Sequence, residues 1–162
     1  MYQSQTKYPW QQHRWIHYVE IQFFFHYFEK TSGRDLLVYV CRLVEKGYKQ
    51  GSKPIYIHFD SENEAKEFDS LLWTFRQESF IPHTLLGHPE QEKTPVIIGW
   101  DTNQIETAEA LINVSQDIPR ASKSTSKIHE IVGNDENKKN KAREKWKAYK
   151  ANGSIIKAHK AD

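Results

Sequence analysis

A three-layer α/β fold, with helices on both faces of a mainly parallel sheet, is predicted for this chain by two features of its sequence. Apolar runs of strand length alternate with amphipathic stretches of helical period in the order strand, helix, strand, helix, strand. The strand-length runs are apolar on both faces, as a sheet covered from either side requires. At 162 residues, the chain suits one domain with one core.

The first strand begins near Val19: Ile21, Phe23, Phe25 and Tyr27 share one face, and Phe24 on the other argues for burial on both sides. Residues 1–18 show neither period. Despite Tyr8, Trp10 and Trp15 they are read as a poorly ordered extension, and 19–162 as the single domain. Ser32 with Asp35 has the form of a capping box opening a helix. Leu36, Leu37, Val40, Leu43, Val44 and Gly47 supply its spacing, Gly51 a C-terminal cap and Pro54 a stop. Residues 54–59 form the second strand. Ser61 and Glu64 repeat the capping box before a helix whose buried face is Ala65, Phe68, Leu72 and Phe75, with Trp73 one residue off it.

That helix runs on into a segment, Leu71 to His83, that stays apolar where a loop is expected. Phe80 and Ile81 stand beside Pro82, and loops over the surface are normally polar, so the stretch reads as a docking surface. Residues 85–94 carry Gly87, Pro89 and charges and read as an exposed loop. Residues 95–100 are continuously apolar and read as a central strand, 110–114 as a fourth and 127–132 as a fifth, with 119–126 polar and structureless between them. A last helix spans 135–152 and ends at Gly153, leaving 154–162 as a tail.

Composition bounds the function. A formal net charge of +2 is too small to imply nucleic-acid binding by itself. The lone Cys41 cannot form an internal disulfide, which fits a reducing compartment. The apolar run 19–28 is far short of the roughly 20 residues that cross a bilayer, and the first residues lack a secretory signal, so a cytoplasmic protein without membrane contact is expected.

The turn after the first strand, 28–33, holds one glycine and neither a dinucleotide fingerprint nor a P-loop, so the fold is Rossmann-like without a nucleotide-binding glycine motif. Lys30 to Ser32 at a helix start could hold an anion, and Asp60 at the end of the second strand could serve a nucleotide-dependent hydrolase or transferase. Helix capping explains Asp60, Ser61, Glu62 and Glu64 with fewer assumptions. Cys41 reads as a small buried hydrophobe. His83 and His88 lack the spacing of a metal site. No catalytic set, metal site or cofactor is expected.

In the last helix, Ala142, Trp146 and Tyr149 could face the core, with Lys139, Arg143, Lys147 and Lys150 on the adjacent stripe. Trp146 between Arg143 and Lys147 suits a ligand with carboxylate and apolar groups, since Arg engages a carboxylate through two parallel hydrogen bonds. Val132 could add an apolar wall. Peptide binding, contact with nucleic-acid phosphates and an ordinary solvated face all remain open here.

Leu72-Trp73, then Glu78 to His83, then Pro95 to Trp100 resembles the central region of the bacterial DNA polymerase III chi subunit family, and Lys141 to Lys150 its C-terminal helix. The resemblance runs from about Val19 onward. It implies a non-catalytic accessory subunit of the clamp-loader assembly that bridges the psi subunit and the C-terminal tail of single-stranded DNA-binding protein, touching nucleic acid only indirectly. Trp73, Phe80, Pro82 and His83 would then face psi. Arg143, holding the terminal carboxylate, would bind the acidic, Phe-ended tail with Val132, Trp146 and Lys147, and Lys139 on the same stripe.

Overall fold

The computed structural model describes residues 21–162; the extension expected over 1–18 lies outside the described residues. One seven-stranded sheet organises the chain. Its strands are β1 (Gln22–Tyr27), β2 (Ile55–His58), β3 (His83–Leu85), β4 (Val96–Gly99), β5 (Ala110–Asn113), β6 (Lys127–Val132) and β7 (Ile155–Lys160), in the order β3-β4-β2-β5-β6-β1-β7. Every pairing is parallel. The α-helices among the described residues are α1 (Gly33–Lys49), α2 (Glu62–Thr74) and α3 (Glu136–Ala151).

Each face of the sheet packs its own core. On one side Val40, Cys41 and Val44 of α1 and Ala65, Phe68 and Leu72 of α2 meet Ile55, Ile57, Val96, Ile98 and Ile112. On the other, Ala148 and Tyr149 of α3 meet Phe23, Phe25, Leu111 and Ile128. The three layers expected from the sequence are therefore present. β2, β4 and β5 are buried at every position, which accounts for their unbroken apolar runs. β4, expected as a central strand, is interior but lies one in from the edge. Gly99 closes it, because a Cβ there would come within 2.9 Å of Leu86 Cβ and 2.8 Å of the Tyr56 hydroxyl.

Both edge strands correct the sequence reading. The segment from Leu85, expected as loop, is entered by β3, and the tail after Gly153 forms β7 along β1. Three residues are too few to show a period, and β7 is almost wholly exposed, so burial wrote no pattern into it. Its two lysines suit an unpaired edge.

The caps divide. Ser61 Oγ accepts from Glu64 N–H at 3.2 Å as expected, whereas Ser32 takes the N-cap position of α1 without a side-chain capping bond. Ser61 is the N-cap of α2, and the Asp60 carboxylate before it accepts from Gln116 N–H at 3.1 Å, tying the end of β2 to the loop after β5. Gly51 and Gly153 close α1 and α3 at φ of 85° and 78°, where a side chain would be strained.

Candidate functional site

β1 feeds α1 on one face of the sheet, and its neighbour β6 feeds α3 on the other. Where adjacent strands send their helices to opposite faces, a crevice opens beyond their carboxyl ends. A cavity of about 540 Å³ lies there. Tyr27, Phe28 and Glu29 leaving β1, Val132 and Gly133 leaving β6, and Lys139, Ala142, Arg143, Trp146 and Lys147 of α3 line it.

All five residues singled out for tail binding, Val132, Lys139, Arg143, Trp146 and Lys147, thus converge on one cavity. Trp146 is half-buried and packs edge-on against Phe25 at 5.0 Å, so its ring is held as a wall. Arg143 is exposed, and its Nη1 donates to Asn140 Oδ1 at 2.7 Å. Lys139 reaches Glu136 only at 3.9 Å. Among the described residues the one carboxylate at the rim is Glu29, and Lys160 takes it at 2.9 Å, which leaves the cations of α3 dominant.

The rotation of α3 is fixed by a buried group that sequence reasoning missed. Lys145 points into the sheet between Arg143 and Lys147, which point out. Its Nζ donates to Glu130 Oε1 at 3.1 Å and to Ser115 O at 2.9 Å. Glu130 also accepts from Asn113 Nδ2 at 2.9 Å and from the Tyr149 hydroxyl. Burial pushes the Glu130 carboxyl above the ordinary carboxylate range, and Lys145 and Tyr149 pull it back. A signal existed in the sequence, since Lys145 lies three and four residues before the buried Ala148 and Tyr149, on the same helix face.

The second predicted group sits at the other end of the sheet, on α2 and β3. Trp73 and Phe80 are 51% and 71% exposed, and their ring centroids lie 6.1 Å apart. His83 is different: its side chain is 1% exposed, with the imidazole under Trp73 at 4.2 Å, Nδ1 donating to Ile81 O at 2.7 Å and Nε2 facing Asp69 at 3.2 Å. It supports the patch from below, and Pro82 is half-buried. The loop is anchored through Glu45 of α1, which accepts from the Ser79 hydroxyl and from Arg76 Nη1 at 2.9 Å. Those bonds hold the Glu45 carboxyl below its ordinary range.

The turn considered for phosphate binding is engaged within the chain. N–H groups of Glu29, Lys30 and Thr31 all donate to the side-chain carboxylate of Asp162, at 2.9 and 2.7 Å for the first two. Burial pushes the Cys41 thiol up to about 12, as befits a packed hydrophobe. Among the described residues no group of three or more His, Cys, Asp or Glu could hold a metal ion, and no helix is long and apolar enough to cross a membrane.

Two solved structures share the fold at low sequence identity. T4 UvsW superposes with a TM-score of 0.58 at 9% identity over 90% of this chain and 42% of its own. The C-terminal domain of the DEAD-box protein Dbp5 does so with 0.55 at 15%, over 86% and 91%. Among curated proteins, the DNA polymerase III subunit chi of Pseudomonas aeruginosa is 32% identical over 120 residues, 74% of this chain and 82% of that protein. That of Haemophilus influenzae is 34% identical over 114 residues, 70% and 78% respectively, and that of Escherichia coli 28% over 115. The family model described as "DNA polymerase III chi subunit, HolC" matches residues 19–157. This chain belongs to the DNA polymerase III chi subunit family.

Proposed function

We propose that this protein is a docking subunit of the DNA polymerase III clamp-loader assembly that acts in the cytoplasm during DNA replication, with no catalysis or cofactor of its own. Its cavity beyond β1 and β6 takes the acidic, Phe-ended C-terminal tail of single-stranded DNA-binding protein, and the Trp73–Phe80 surface takes the psi subunit. Nucleic acid is reached only through the first partner.

The observation that carries this reading is the convergence of Arg143, Lys139 and Lys147 with an aromatic wall on a single cavity. An aromatic residue bearing a free carboxylate has complementary groups: a ring to bury against Trp146 and Phe28, and an anion for the Arg143 guanidinium. What supports two separate surfaces is the strand order. Between β3, beside Phe80, and β1, beside the cavity, lie five strand spacings, roughly 24 Å at ~4.8 Å each. A side chain 71% exposed and apolar, resting on a second exposed ring, is what a partner-facing loop needs.

The test is calorimetry with an acidic peptide ending in Phe. Arg143→Ala weakens it by about 1.5 to 3 kcal/mol, the range for a hydrogen bond to a charged group, while Phe80→Ala leaves it unchanged. Unaltered affinity in folded Arg143→Ala protein removes the cavity from the account.

A further inference from the structure

A second cavity, about 290 Å³, lies on the face of the sheet opposite α3, between the C-terminal half of α1 and the first residues of β2, β5 and β6. Lys46 of α1 and Lys127 of β6 line it, and among the described residues no carboxylate does. Neither ammonium has a carboxylate within 4.0 Å among the described residues. Phe24, Leu43, Ile55 and Ile112 form its apolar walls. Two uncompensated cations against low-dielectric walls focus a positive potential into the space between them.

A chain of hydrogen bonds ends in the same cavity. Nε2 of His159 lies 3.2 Å from the Tyr39 hydroxyl, which lies 2.7 Å from Nδ1 of His26; Nε2 of His26 lies 2.8 Å from Nδ1 of His129. The His129 ring stacks on Phe24 at 4.9 Å. Its remaining nitrogen, Nε2, has no hydrogen-bond partner among the described residues and is accessible. Burial holds His26 and His129 down to about 3 and about 4, with Lys46, Lys127 and His159 adding to the effect, so both rings are neutral at pH 7. Neutral rings leave two consistent proton arrangements. In one, the Tyr39 hydroxyl donates to His26, His26 donates to His129, and His129 carries its proton on Nε2, facing the cavity. In the other every bond reverses and His129 Nε2 offers a lone pair.

We propose that this cavity binds a small organic anion, a carboxylate or phosphate carried on an aromatic or aliphatic body, with Lys46, Lys127 and the Nε2–H of His129 holding the charged group. The apolar walls take the body. A bound anion needs a donor at His129, so it selects the first proton arrangement along the whole chain from Tyr39.

Benzoate, phenyl phosphate and inorganic phosphate, titrated separately into the full chain at constant ionic strength, test this by NMR of backbone amides and imidazole nitrogens. The titrations are repeated in Arg143→Ala protein so that the cavity on α3 cannot account for the signal. Saturable shifts at Phe24, Lys127 and His129 are expected with one or both aromatic anions, weaker with inorganic phosphate, and the tighter of the two aromatic probes identifies the head group. His129 should show the Nε2-protonated tautomer at saturation. Lys127→Gln should weaken binding about tenfold or more, as loss of a charge-assisted contact does, and Lys150→Gln, outside the cavity, should not. Absence of saturable shifts, or equal loss in both lysine variants, overturns the proposal.

Discussion

Lys145→Met would remove the one cation that pairs with the buried Glu130 among the described residues; the two side chains are 7% and 1% exposed. An ion pair broken on one side within a core costs about 3 to 5 kcal/mol, because the remaining charge is left uncompensated. Glu130 can limit this by taking up a proton. Its folded pKa then stands above the unfolded value of 4.5, so stability is complete below that pH and is lost as pH rises. At about 1.4 kcal/mol per pH unit, the proton route costs about 3 kcal/mol at pH 7 and under about 1 kcal/mol at pH 5. Urea unfolding at both pH values is the assay. The variant should lose far more stability at pH 7 than at pH 5, and Glu130→Gln in the same background should remove that dependence. A destabilisation below about 1 kcal/mol at pH 7, or one indifferent to pH, would show that Lys145 and Glu130 are not the coupled pair described here.

His26 and His129 make wild-type stability fall in acid. Their folded values of about 3 and about 4 lie below the ordinary 6.5, so the unfolded state binds more protons below pH 6.5 and stability drops by up to about 1.4 kcal/mol per pH unit for each group; replacing His26 by Phe should flatten that slope in acid titration. Trp146→Ala should cost about 2 kcal/mol in urea unfolding, roughly half the loss for a fully buried Trp, because its ring is only half-buried against Phe25. Phe80→Ala should leave stability within about 0.5 kcal/mol, as for an exposed position, yet abolish co-purification with psi; retention of the complex would move that interface elsewhere. Asp162→Ala should speed hydrogen exchange at the Glu29, Lys30 and Thr31 amides, which donate to its carboxylate; unchanged exchange would mean that another acceptor protects them.

The interior of the fold was legible because burial writes a period into sequence. Val40 and Val44, Ala65, Phe68 and Leu72, and the four-residue runs of β2, β4 and β5 all follow the spacing their packing imposes. β3 and β7 were not, because an exposed edge constrains few side chains. Most of the candidate cavity was visible in α3, where Trp146 stands beside a basic stripe. Its Ala158 wall was not, since it depends on β7 pairing with β1. Contacts such as His26 with His129, 103 residues apart, follow from strand order, which no local pattern encodes. Lys145 carries no role in the sequence reading, although its spacing to Tyr149 places it on the buried face.

The proposed function requires the cavity beyond β1 and β6 to recognise a terminal carboxylate beside an aromatic ring. Calorimetry of one acidic Phe-ended peptide as the free acid and as the C-terminal amide tests this most directly. The free acid should bind about tenfold or more tightly, as the loss of a charge-assisted pair to Arg143 dictates, and Arg143→Ala should erase the difference. Equal affinity of acid and amide for the wild-type chain would contradict the account.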